Sequence, residues 1–284
     1  LESADVVAHL AASVPSSPTA STHDVDVARR VLDAAGDSSV PHVVLLSSAT
    51  VYGAWANNPV PLTEDATLRP NPGVAFAAER AEIERLGAEW REAHPGTVVS
   101  VLRPVRTVGA QPRDWLVPAL RPGPAVPEHA EEPPVQFVHL DDLAAAVDLA
   151  RRERLAGAFN VAPDGSIPGD EVRSLMGAPP KVPLPERVAG RLVRWRFRWG
   201  LGPTPPELVP YTLHSWVVAN DRLRSHGWTA SVTNGEACVE AFDTGAWARL
   251  SPRRRQEIAL GVAGAGIVGV AAGGALLARR WLRR

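Results

Sequence analysis

Tyrosine, lysine and cysteine are almost missing from this sequence: among 284 residues there are two tyrosines, Tyr52 and Tyr211, one lysine, Lys181, and one cysteine, Cys238. A lone cysteine excludes an intrachain disulfide and a cysteine-based metal site, no metal centre is expected, and a reducing compartment fits. Chemistry that needs a phenol has only two residues to draw on. Cationic clusters are missing from the body as well. The tail from Ser251 holds seven Arg and one Glu, whereas the rest of the chain carries 23 basic and 30 acidic side chains. A mildly acidic body is not expected to bind nucleic acid, because phosphate contacts need grouped positive charge. What is present, 45% hydrophobic and 21% charged residues, describes a globular chain with a sizeable core. The chain opens on Leu1 rather than Met and runs at once into an apolar strand with no signal peptide before it, so it reads as a fragment.

Asp5–Ala12 is a short apolar run ending in small residues, as a buried parallel strand does. Asp24–Ala35 has its apolar residues at helical spacing, His42–Leu46 is a second apolar strand, and Val74–Ala93, rich in Ala, Glu and Arg, predicts a long helix. Thr97–Leu102 is a third strand. Strands and helices alternating at these lengths mean βαβ units and a parallel sheet. Gln111–Pro134 contains seven prolines and reads as an irregular loop. Phe137–Leu140 predicts a short strand, and Asp141–Arg152 a helix capped by Asp141 or Asp142.

Five segments in order carry a resemblance: His9-Leu10-Ala11-Ala12, Val31-Leu32-Asp33-Ala34-Ala35, Ser47-Ser48-Ala49-Thr50-Val51-Tyr52-Gly53, Leu102-Arg103-Pro104 and Phe137-Val138-His139-Leu140-Asp141-Asp142. Together they resemble the landmarks of the extended short-chain dehydrogenase/reductase family, the NAD-dependent epimerases and dehydratases. The resemblance implies an α/β, Rossmann-like, doubly wound parallel sheet lacking its first strands, over residues 1–165. A smaller substrate-side domain would cover residues 166–250. It also implies that three strands and a Gly-rich, pyrophosphate-holding turn normally precede the first strand seen here. NAD or NADP is the implied cofactor of the complete protein, a small molecule such as a nucleotide sugar the implied substrate, and a homodimer a possible assembly.

In that family a Ser or Thr orients the substrate, a Tyr exchanges a proton with its oxygen, and a Lys four residues later lowers the Tyr pKa and binds the nicotinamide ribose. Ser48 matches the hydroxyl. The other two positions hold Phe76 and Arg80, and phenylalanine has no proton to give. Arg80 keeps a charge that suits ribose hydroxyls but is a poor substitute for tuning an acid. By the same carry-over, Leu10, Ala11, Ala12, Ser47, Pro104 and Val105 flank the cofactor, and Thr50 and Arg106 face the substrate. Arg106 reads equally as an anion contact or a plain surface residue. Asp24 stands where relatives usually have Asn. Tyr52, four residues past Ser48, is expected to be a packed aromatic rather than a replacement acid.

Ile258–Ala278 is an uncharged run of 21 residues bracketed by arginines, and residues 256–280 are expected to form a single membrane-spanning helix. At about 1.5 Å per residue the run reaches roughly 30 Å, the thickness of the hydrocarbon layer. The body would then lie on the cytoplasmic face. Two functions stay open: an NAD(P)-dependent epimerase, dehydratase or oxidoreductase with a nonstandard acid, and a catalytically inactive, membrane-tethered binding or scaffold protein of the same descent.

Overall fold

Side-chain alternation along His42–Leu46 decides how the layers stack. Val43 and Leu45 point to one face of the sheet and Val44 and Leu46 to the other, and each set is packed under helices, which is why the strand reads as one unbroken apolar run. The computed structural model describes residues 4–11, 20–109, 115–121, 125–127, 131–175, 182–201 and 204–241. The 256–280 segment lies outside them, as does Ala12. Among the described residues no helix is long and apolar enough to cross a membrane.

The elements of the first half are β1 (Val7–His9), α1 (Asp24–Asp37), β2 (His42–Leu46), α2 (Ala75–Ala93), β3 (Val98–Pro104) and β4 (Arg106–Val108). Then follow α3 (Leu116–Ala119), β5 (Ala125–Pro127), β6 (Phe137–His139), α4 (Leu140–Glu153), β7 (Gly157–Val161), α5 (Gly169–Leu175) and β8 (Val182–Leu184). The last are α6 (Glu186–Arg198), α7 (Pro210–Leu213), α8 (Asp221–Ser225) and α9 (Asn234–Ala241). A parallel sheet runs in the order β1, β2, β3, β7, and β4–β6 and β5–β8 are two further parallel pairs.

On one face of the sheet Ala28, Leu32 and Ala35 of α1 and Ile83, Leu86 and Trp90 of α2 pack against Val43, Leu45, Val99 and Val101. On the other, Leu143, Ala146 and Ala150 of α4 meet Val44, Leu102, Phe159 and Val161, together with Tyr211, Trp216, Leu223 and Trp228 from the last third of the chain.

Two local expectations are corrected. The 111–134 stretch holds α3 and β5 rather than loop alone. Its prolines hid both, although Pro118 is tolerated within a helix of only four residues. The cap of α4 is His139, whose imidazole accepts from the Asp141 backbone N–H at 3.2 Å. Asp142 instead turns inward and accepts from Ser231 and Val232.

Gly53 closes the 3-10 turn Ala49–Tyr52 at φ 69°, and a Cβ there would sit 2.1 Å from the Arg69 carbonyl oxygen. Both the backbone angle and the backbone neighbour require glycine. Gly53→Ala is therefore expected to cost at least about 2 kcal/mol of stability, read from the urea unfolding midpoint.

Candidate functional site

The carboxyl ends of β1, β2 and β3 lie side by side, the place where an open α/β sheet builds its ligand crevice. Leu10 and Ala11 leave β1 exposed to solvent. Ser47 and Ser48 leave β2, Pro104 ends β3, and Val105 and Arg106 lead on into β4, all of them buried. The first turns of α2 bring Phe76 and Arg80 to the same end. Of the residues carried over from the resemblance, the fold gathers Ala11, Ser47, Ser48, Thr50, Phe76 and Arg80 here.

Ser48 is the N-cap of the 3-10 turn, and its Oγ accepts from the Thr50 amide at 3.2 Å and from Thr50 Oγ1 at 3.0 Å. Two donors occupy the oxygen's lone pairs, so the Ser48 proton is left to be donated onward. Thr50 is fully buried and its carbonyl accepts from the Tyr211 hydroxyl at 2.8 Å. Thr50 thus positions Ser48 and does not itself line open space.

Phe76 is 8% exposed and meets Trp115 edge to face at 5.5 Å between ring centroids. The Arg80 guanidinium lies over its other side, 5.0 Å from the centroid. Arg80 is fully buried. Its Nη1 donates to the carbonyls of Ala11 at 3.0 Å and Leu46 at 3.3 Å, and its Nη2 is bonded to Asp24 Oδ2. One side chain therefore ties β1, β2, α1 and α2 together. Burial draws the Arg80 pKa below its ordinary value while Asp24 opposes the shift. The Asp24 end of α1 is held in turn, because Glu79 of α2 accepts from the Thr22 amide and hydroxyl.

Beneath Ser48 lies a polar network that sequence reasoning missed. Glu84 forms a two-pronged ion pair with Arg103, with Nε to Oε1 at 3.0 Å and Nη2 to Oε2 at 2.6 Å, and also accepts from Ser47 Oγ. Arg103 Nη1 donates to Tyr52 Oη at 2.7 Å, and Tyr52 donates to Asn160 Oδ1 at 2.8 Å. Phe76, Arg80 and Glu84 are spaced four apart, so the helix period alone stacks them on one face of α2, and that was the signal available.

Neither tyrosine reaches the site. Burial pushes the Tyr52 phenol up to about 12 in spite of the adjacent Arg103, and Tyr52 is a packed aromatic as expected. Tyr211 is fully buried and its pKa is likewise raised by burial. Arg106 is not a surface residue. It is buried, with its guanidinium 4.7 Å from the Trp216 ring centroid and 5.6 Å from that of Phe137, beside a small cavity lined by Val105, Gln136 and Trp216.

Two buried nitrogens at this end, His9 Nε2 and Arg80 Nε, have no hydrogen-bond partner among the described residues. Burial lowers the His9 pKa, and nearby Arg80 lowers it further. Buried polar atoms are normally satisfied, so these two are exceptions at this end of the sheet. No group of His, Cys, Asp and Glu among the described residues could hold a metal ion.

A model of the NAD dependent epimerase/dehydratase family matches residues 1–162. Uncharacterized proteins of Mycobacterium tuberculosis and Mycobacterium bovis are 30% identical over 148 residues, 52% of this chain and 39% of theirs. The chain thus spans about two fifths of the length of the curated relatives it matches. Among solved structures, UDP-glucose 4-epimerase of Thermus thermophilus in complex with NAD superposes with a TM-score of 0.59 at 21% identity, over 85% of this chain and 78% of that one. WbmG of Bordetella bronchiseptica, in complex with NAD and UDP, gives 0.59 at 19% identity over 86% and 72%. A Tyr-to-Phe mutant of UDP-glucuronic acid 4-epimerase from Bacillus cereus, in complex with UDP-4-deoxy-4-fluoro-glucuronic acid and NAD, gives 0.59 at 14% over 86% and 76%.

Proposed function

Because the chain belongs to the NAD dependent epimerase/dehydratase family, we propose that the protein holds NAD and a nucleotide-sugar-like ligand at the carboxyl end of its sheet without the phenol-driven proton transfer of an active epimerase. The observation that carries this reading is the pair of facts about aromatic side chains. Phe76 fills the phenol position between Trp115 and Arg80, and both tyrosines have buried hydroxyls bonded within the core. The Bacillus cereus structure, of a Tyr-to-Phe mutant, holds NAD and a sugar nucleotide, so such a change is compatible with ligand binding on this fold.

NAD bound here supplies a hydride acceptor and donor. Leu10, Ala11 and Ser47 would flank it, and Arg80, fully buried with Nη1 and Nη2 engaged by Ala11, Leu46 and Asp24, would brace the strand ends beneath it. Ser48 would donate its free proton to a hydroxyl or carbonyl oxygen of the ligand, positioned by Thr50. Arg106, Pro104 and Val105 close the floor beside it, and residues 166–250 supply the substrate side. Calorimetric titration of the intact protein with NAD, and then with UDP-sugars in its presence, tests the reading. Saturable binding of both without conversion supports it, and absence of any NAD binding sinks it.

Residues 256–280 insert as a single membrane helix in this reading, with the body on the cytoplasmic face. The protein is expected to resist carbonate extraction from membranes. Val268→Arg with Val270→Arg, two charges each costing about 2.5–3.5 kcal/mol at a helix centre, is expected to release it. A wild type found wholly in the soluble fraction contradicts the anchor.

A further inference from the structure

None of the site residues named above lies on α6, yet this helix gathers the most unusual surface of the molecule. Ten large hydrophobic side chains are exposed among the described residues, and five of them, Val188, Trp195, Phe197, Trp199 and Leu201, lie within fourteen positions. Trp199 is 66% and Trp195 51% exposed. Five arginines, Arg187, Arg191, Arg194, Arg196 and Arg198, share this stretch, and no acidic residue occurs between Glu186 and Glu207. The expectation that no cationic cluster precedes the tail is corrected here.

The arrangement is ordered. At about 3.6 residues per turn, Val188, Trp195 and Trp199 form one stripe, and Arg191, Arg194 and Arg198 form the stripe beside it. Those three arginines are exposed. The inner side is taken by the protein, since Ala189 is buried and α6 packs against β5 and the 3-10 turn Pro206–Leu208. Gly200, at φ 65°, ends the helix, and Arg196 closes it by donating to the Leu201 carbonyl at 2.7 Å. That closure fixes Trp199 and Leu201 at one end.

We propose that α6 is a docking helix for an anionic lipid surface, seating Trp195, Trp199 and Val188 at the level of the headgroups while the arginine stripe contacts lipid phosphates. A water-facing helix has no use for two half-exposed tryptophans, and patches of this kind mark interaction surfaces. Tryptophan prefers the membrane–water boundary, where its ring is apolar and its N–H stays wet. Arginines without a compensating acid select an anionic partner, each contributing about 1 kcal/mol near such a surface. A helix with one aromatic face and one cationic face lies in the boundary plane rather than across it. The contact is independent of residues 256–280 and would orient the body of the protein on the surface.

The test uses the whole chain carrying Val268→Arg and Val270→Arg, so that the tail route is disabled, in co-sedimentation with vesicles of phosphatidylcholine alone or mixed with phosphatidylglycerol. This chain is expected to sediment with the mixed vesicles at least tenfold more strongly than with phosphatidylcholine, and salt is expected to release it. Trp195→Glu with Trp199→Glu is expected to abolish the binding. Arg194→Gln with Arg198→Gln should weaken it on the order of twenty-fivefold, fivefold per charge removed. All four positions are exposed, so the urea unfolding midpoint should stay unchanged. The proposal is overturned by binding that survives Trp195→Glu and Trp199→Glu, by equal binding to both vesicle types, by binding that requires an unaltered tail, or by capture of single-stranded polyuridylate in place of vesicles.

Discussion

Asp24→Ala is expected to destabilise the chain by about 3–5 kcal/mol in urea unfolding, the largest effect of any single substitution near the site. The carboxylate is 2% exposed and the Arg80 side chain fully buried, so removing one partner strands a cation where water cannot reach it. The loss also spreads. Arg80 fastens the carbonyl ends of β1 and β2, so an unpaired guanidinium that swings toward solvent takes its bonds to Ala11 and Leu46 with it. Arg80→Met is expected to destabilise as well, because it takes the buried guanidinium away from the Asp24 carboxylate. The double variant Asp24→Leu/Arg80→Met should be milder than either single one, since an apolar pair of similar volume needs no compensation. Such non-additivity is the signature of direct coupling. Independent, additive losses below about 1 kcal/mol would mean that the pair is incidental.

This ion pair shows where the sequence was readable and where it was not. The sheet was legible because parallel strands covered on both faces leave unbroken apolar runs: His42–Leu46 was read to the residue, and the helix over Val74–Ala93 begins only one position later, at Ala75. Strand β7 escaped notice, since Gly157, Ala158 and Asn160 break the apolar run. With β7 unseen, nothing in the sequence could show that Tyr52 would bond Asn160 across 108 positions. Phe76 and Arg80 were legible as candidates because a resemblance assigns expected roles to numbered positions. Their consequences were not: that Arg80 is spent on Asp24 and two carbonyls, and that Trp115 closes over Phe76, depends on contacts between segments far apart in sequence. Asp24 was noticed as a departure from the family, and it gains its meaning only when α1 is seen against α2.

On the proposed reading, placing a phenol at position 76 is the change with the largest expected effect on chemistry. Phe76→Tyr places a hydroxyl where Phe76 now ends, at the end of the sheet that also holds Ser48, with the Arg80 charge already over the ring to favour the phenolate. A positioned general acid or base contributes roughly 10²–10⁴-fold in rate. The ring itself is unchanged, so its edge contact with Trp115 should persist and stability should move little.

The most direct measurement is therefore conversion of UDP-sugars by the intact protein and its Phe76→Tyr variant, assayed side by side at saturating NAD with binding of NAD checked in both by calorimetry. The account predicts NAD binding by both proteins, no conversion by the wild type above a protein-free blank, and measurable conversion by Phe76→Tyr. Robust conversion by the wild type that Phe76→Tyr leaves unchanged would contradict it, since some group other than a phenol would then be moving the proton.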